Sequence, residues 1–98
     1  YRAVVLADTH FCPFLAVDRN RPCDRCQTRP CVSACPAGAM NEERFALEKC
    51  LAYRRRGDSH CRDTCLARLA CPVGSQHRYD DDQMQHSYAH SLTMLVAR

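Results

Sequence analysis

Ninety-eight residues carrying a formal charge of +3 make one small domain, and a chain of that size buries only about 60–65% of its unfolded surface. There is no tryptophan, only three phenylalanines stand in the chain, and much of the 46% hydrophobic content is alanine and cysteine, which excludes a stable apolar core by burial alone. No apolar run approaches the roughly 18 residues that span a bilayer, so the chain reads as soluble, without a membrane partner.

In chain order, residues 1–7 read as a helix with Val4, Val5 and Leu6 as apolar contacts. Because that helix starts on Tyr1 as if in its middle, the chain reads as an excerpt of something longer. The stretch up to Pro22 reads as irregular, closing with Asp18-Arg19-Asn20-Arg21-Pro22. Cys12-Pro13 has no neighbouring cysteine, so Cys12 is expected as a free, buried thiol. Residues 24–35 should be a turn followed by one or two helical turns, with Gly38 permitting a sharp exit.

Residues 41–49 are the only place for a strand, since Phe45 and Leu47 alternate with Arg44, Ala46 and Glu48. A helix over 51–56 should then stop at Gly57, with Arg54-Arg55-Arg56 at its C-terminal end, where cations offset the macrodipole. That solvated reading of the basic run outweighs a docking or nucleic-acid patch. Asp58 or Ser59 can cap the next helix, expected to carry Cys61 and Cys65 on one face and to end near Cys71. The last segment opens on Asp80-Asp81-Asp82-Gln83, an acidic start for a helix whose Met84, Tyr88, Leu92 and Leu95 form one apolar stripe for the core. His77, His86 and His90 read as surface histidines, without an acidic or third ligand at matching spacing.

The chemistry lies in the cysteines. Eight of the nine fall into two runs, Cys23-x2-Cys26-x4-Cys31-x3-Cys35-Pro36 and Cys50-x10-Cys61-x3-Cys65-x5-Cys71-Pro72. Closely spaced cysteines around a turn can aim several thiolates at one centre, and Cys31 and Cys35, four apart, would share a helix face that Pro36 ends. The phrases Cys35-Pro36-Ala37-Gly38 and Cys71-Pro72-Val73-Gly74 match in type, the mark of a loose internal duplication. Two four-thiolate sites of this kind point to iron–sulfur clusters. A disulfide scaffold fits less well, because the count is odd and no signal peptide precedes the runs. Structural zinc is the stronger rival, although zinc sites usually come as two separated pairs of cysteines. Eight reduced thiols suit a reducing interior, the cytoplasm.

The first run resembles that of bacterial two-cluster ferredoxins, in which the fourth cysteine ligates the other cluster. The likeness extends to the cluster-bearing part of epoxyqueuosine reductase and its ferredoxin-like relatives, carried by Cys23-Asp24-Arg25-Cys26, by Cys31-Val32-Ser33-Ala34-Cys35-Pro36-Ala37-Gly38-Ala39-Met40 and by Phe45-Ala46-Leu47-Glu48-Lys49-Cys50-Leu51-Ala52-Tyr53. It covers about residues 22–74. The third cysteine comes two residues late, and the second run is wider than the family's. With crossed ligands, the resemblance implies one 4Fe-4S cluster on Cys23, Cys26, Cys31 and Cys71 and a second on Cys35, Cys50, Cys61 and Cys65.

The expected architecture is a small, mostly α domain, α+β at most, with ferredoxin-like pseudo-twofold halves stabilised by its two clusters. Residues 1–21 would form the N-terminal helix and lead-in, 22–76 the two-cluster core, and 77–98 a helix packed on that core. Thirteen arginines against the single Lys49 can reach backbone carbonyls and acidic groups near a cluster. The expected function is electron transfer, as a carrier or relay exchanging electrons with a redox protein; no catalytic residues stand out. The alternatives are the electron-feeding domain of a larger reductase, a cluster-based redox sensor, and a structural zinc module.

Overall fold

Proline placement and cysteine spacing cut this chain into short helical pieces. The computed structural model describes residues 2–12, 20–41 and 44–97. Pro22 opens a 3-10 turn, Pro22–Arg25, and Pro30 opens helix α1, Pro30–Ala34; at a first helical position the missing N–H of proline costs nothing. Helix α2 spans Leu47–Arg54, α3 spans Leu66–Ala70, a second 3-10 turn spans Ser75–His77, and α4 spans Asp81–Val96. The mostly helical expectation agrees with this order.

Helix α4 is the only long element among the described residues, and its start follows from its sequence. The Asp80 carboxylate accepts from the Gln83 N–H at 2.8 Å, and Asp81 and Asp82 in the first turn complement the helix dipole. Met84 and Leu92 of its apolar stripe are buried and Tyr88 and Leu95 half-buried, as a core-facing stripe requires. No helix among the described residues is long and apolar enough to cross a membrane.

The two cysteine runs share one local design. Helices α1 and α3 are each five residues long and pack against each other. Each ends on a cysteine in extended conformation, Cys35 and Cys71, followed by proline. Three residues after each of these cysteines the chain turns through a glycine with positive φ, +58° at Gly38 and +67° at Gly74. In that left-handed region a side chain costs conformational energy, so glycine is favoured.

Five local expectations are corrected. Residues 2–7 form no helix, and Val4, Val5 and Leu6 are 90%, 83% and 94% exposed. A segment this short, with adjacent β-branched residues and no surface to pack on, does not repay the cost of nucleation. Tyr1 and residues 13–19, with Asp18 and Arg19, lie outside the described residues. Cys12 is exposed rather than buried, as are residues 2–11 before it.

The strand expected over 41–49 shrinks to one antiparallel bridge between Met40 and Phe45. Asn41 Oδ1 accepts from the Arg44 N–H and tightens the turn, and Leu47 already belongs to α2. That helix therefore starts before residue 51, and it ends at Arg54, two residues short of the expected end at Arg56. The helix expected through Cys61 and Cys65 begins only at Leu66. The Ser59 hydroxyl accepts from the Cys61 N–H at 3.1 Å, which spends the capping group on a turn.

The apolar core is thin. Its buried members are Ala39, Cys61, Ala67, Met84 and Leu92, and none of the described large side chains is wholly enclosed. A radius of gyration of 16.8 Å exceeds the about 13 Å of a compact domain of this length.

Candidate metal centre

All nine cysteines are free thiols, and eight of them gather in two places. The first lies at the mouth of the α1–α3 pair. Cys23 sits in the 3-10 turn, and its carbonyl accepts from the Cys26 N–H at 3.2 Å, which holds the two residues on one tight bend. Cys31 follows Pro30 in the first turn of α1, and Cys71 arrives from the far half of the chain at the end of α3. A cavity of about 260 Å³ is lined by Cys23, Cys26, Cys31 and Cys71 together. Arg78 fixes the incoming strand of chain by donating to the Leu69 carbonyl at 3.0 Å and to the Cys71 carbonyl.

The late third cysteine has a local cause. Arg29, just before α1, takes a left-handed conformation at φ 41° and ψ 61°, the only non-glycine residue with positive φ among those described. This kink takes up the longer Cys26–Cys31 spacing before α1 begins.

The second place is deeper. Cys35 closes α1, Cys50 lies in the middle of α2, Cys61 is held in the Ser59 turn, and Cys65 caps α3. Burial pushes the Cys50 thiol above its ordinary pKa; Arg54 opposes the rise, and the neighbouring charges of Cys65, Cys35 and Cys61 add to it. The Cys61 thiol is also raised, first by burial and then by Cys65 and Cys35, against a lowering by the Leu66 backbone N–H and by Arg54. These four sulfurs are thus electrostatic neighbours.

Arg54 is the residue that sequence reading missed. It was expected on a solvated basic end, yet it is only 7% exposed. Its Nε donates to the Cys61 carbonyl at 3.0 Å, and its Nη2 donates to the Tyr88 carbonyl at 2.8 Å and to Ser91 Oγ at 3.0 Å. The signal was available: Arg54 is four residues after Cys50 and so shares its helix face. Arg55 and Arg56 do remain exposed, with Arg56 paired to Asp58 at 2.6 Å.

Tyr88 completes this side of the site. The Arg54 and Arg68 guanidinium carbons stand 5.2 Å and 5.9 Å from its ring centre. Burial and the charge of Cys65 raise the Tyr88 hydroxyl pKa, Arg68 opposes this, and the hydroxyl's hydrogen bond to Cys65 raises it further. A bond that favours the protonated phenol is one in which Tyr88 donates and sulfur accepts.

His77, His86 and His90 are exposed, with the His86 and His90 rings stacked at 6.3 Å. Asp82 stands one turn before His86, a spacing the sequence reading passed over, and lines the same shallow face. Among the described residues no three His, Cys, Asp or Glu side chains converge on a single-ion position. An all-sulfur donor set suits soft thiophilic centres such as iron–sulfur clusters and zinc. A 4Fe-4S core spreads its four thiolates around separate irons.

The fold and site define a small, mostly helical, cysteine-rich domain. It is similar to the Ferredoxin-type protein NapG of Haemophilus influenzae, at 32% identity over 81 residues, covering 68% of this chain and 29% of that protein. The chain therefore spans less than a third of that relative's length. No family model matches the chain, and no solved structure matches it.

Proposed function

We propose that this chain transfers single electrons through two 4Fe-4S clusters, one on Cys23, Cys26, Cys31 and Cys71 and the other on Cys35, Cys50, Cys61 and Cys65. The observation that carries the proposal is the pairing of groups: Cys71 lines the cavity of the first run, and Cys35 is an electrostatic neighbour of Cys50, Cys61 and Cys65. The similarity to a ferredoxin-type protein supports a ferredoxin-like iron–sulfur protein and electron transfer with redox partners. The matched helix–Cys–Pro–x–Gly units support pseudo-twofold halves.

The clusters would supply one-electron redox chemistry, and the chain's own residues would set the conditions for it. Cys50, Cys61 and Cys65 would deliver thiolates from three separate elements, with Arg54 offsetting their negative charge. The Leu66 N–H and the Tyr88 hydroxyl would donate to Cys61 and Cys65 sulfur, a recognised lever on cluster potential. With four cysteines per cluster no iron keeps an open position, so the chain would carry electrons without binding substrate. A reducing, cytoplasmic setting goes with this reading. The further likeness to the cluster-bearing part of epoxyqueuosine reductase rests on the phrases quoted above, and by that likeness the chain would feed electrons to a catalytic domain elsewhere.

Anaerobic reductive titration tests the proposal. The holo chain should take up about two electrons, one per cluster. A chain that takes up none between about −700 and +450 mV would overturn it.

A further inference from the structure

We propose that Arg54, Tyr88 and Arg68 form a built-in device that raises the potential of the second cluster above that of the first. The inference rests on the electron-transfer reading and concerns how the two centres differ. Its basis is a stack that reaches three of the four cysteines of one group. Arg54 lies one helical turn beyond Cys50 and donates to the Cys61 carbonyl at 3.0 Å. Arg68 lies one turn beyond Cys65. Both guanidinium groups flank the Tyr88 ring, at 5.2 Å and 5.9 Å, and the Tyr88 hydroxyl bonds to Cys65.

The first group is built otherwise. Arg78 donates to the Cys71 carbonyl but is only half-buried, and of the cavity-lining Arg21, Arg29 and Arg44 the first and last are exposed, as are Cys23 itself and the acidic Asp24 among them. Water screens those charges, whereas Arg54 is buried and acts at lower effective dielectric. Reduction adds one electron to a cluster. A buried cation and a hydrogen bond to a ligand sulfur both stabilise that added charge, so both move the potential upward. In the relay, an electron entering at the exposed first cluster would run downhill to the inner one.

The test is a spectroelectrochemical titration of the anaerobic holo chain beside three variants. Arg54→Met removes the charge while keeping an unbranched apolar stem, Arg54→Lys keeps the charge, and Tyr88→Phe removes only the hydroxyl. The expected result is two midpoint potentials in the parent, the higher one shifting downward in Arg54→Met and in Tyr88→Phe while the lower one stays, with Arg54→Lys recovering part of the shift. Cys61→Ser assigns the higher potential to the second group by displacing it. If Arg54→Met fails to load clusters, Tyr88→Phe and Arg54→Lys still decide the matter. Loaded variants whose two potentials are unmoved, or a shift confined to the potential that Cys61→Ser leaves alone, would overturn the proposal while leaving electron transfer intact. A parent chain without iron would instead remove the reading beneath it.

Discussion

The Arg54 guanidinium on α2 donates to the Tyr88 carbonyl oxygen on α4 at 2.8 Å, while its carbon stands 5.2 Å from the centre of the same residue's ring. One side chain thus ties α2, the Cys61 turn and the long C-terminal helix together. Replacing Arg54 by alanine should lower unfolding free energy by at least about 1.5–3 kcal/mol, the range for one hydrogen bond to a charged group. Anaerobic denaturant unfolding of the holo chain measures this; a loss of only a few tenths would mean that the guanidinium merely covers the surface.

The two left-handed glycines give a backbone prediction with its own control. A Cβ added at Gly38 or Gly74 meets nothing within 4 Å, so alanine there should cost only the conformational penalty, about 1–2 kcal/mol. Gly57 has no positive φ, and alanine at that position should be close to neutral. Equal unfolding midpoints for Gly38→Ala and Gly57→Ala would contradict the geometry of the Cys35-Pro36-Ala37-Gly38 exit.

Much of the site was legible because cysteine spacing is a local property. The two runs, the matched Cys-Pro phrases and the glycine exits could be read directly, and the acidic N-terminus of α4 announced itself through Asp80 to Gln83. Tertiary context decided the rest. Arg54 belongs by composition to a basic run, and only the arrival of Tyr88 and Ser91 from α4 makes it a buried residue. The Phe45 and Leu47 alternation satisfied the period of a strand, yet among the described residues Phe45 pairs only with Met40. The apolar Val4, Val5 and Leu6 suggested a packed helix, but periodicity carries no information about whether a partner surface exists.

Ligand crossing predicts which cluster each variant damages. Cys35→Ser should disturb the centre shared with Cys50, Cys61 and Cys65 and spare the one on Cys23, Cys26 and Cys31. Electron paramagnetic resonance of the reduced variant distinguishes the two outcomes: a lost first-run signal with the second intact would show that each run serves its own cluster.

Cys12 gives the complementary control. It is exposed and sits outside both groups, so Cys12→Ala should keep the full iron content. Loss of about four irons would make Cys12 a ligand and remove one cysteine from the second group.

The thin core predicts strong coupling of folding to metal. With Ala39, Cys61, Ala67, Met84 and Leu92 as its buried apolar members, the chain stripped of metal should lose most of its helical circular dichroism. A metal-free chain with undiminished helix signal and a cooperative melt would show that the polypeptide folds unaided.

Counting iron, acid-labile sulfide and zinc in anaerobically purified protein tests the central claim most directly. Two 4Fe-4S clusters require about eight iron and about eight sulfide per chain, with zinc near zero. Zinc bound in stoichiometric amount without labile sulfide would contradict it and make the two cysteine groups structural zinc sites.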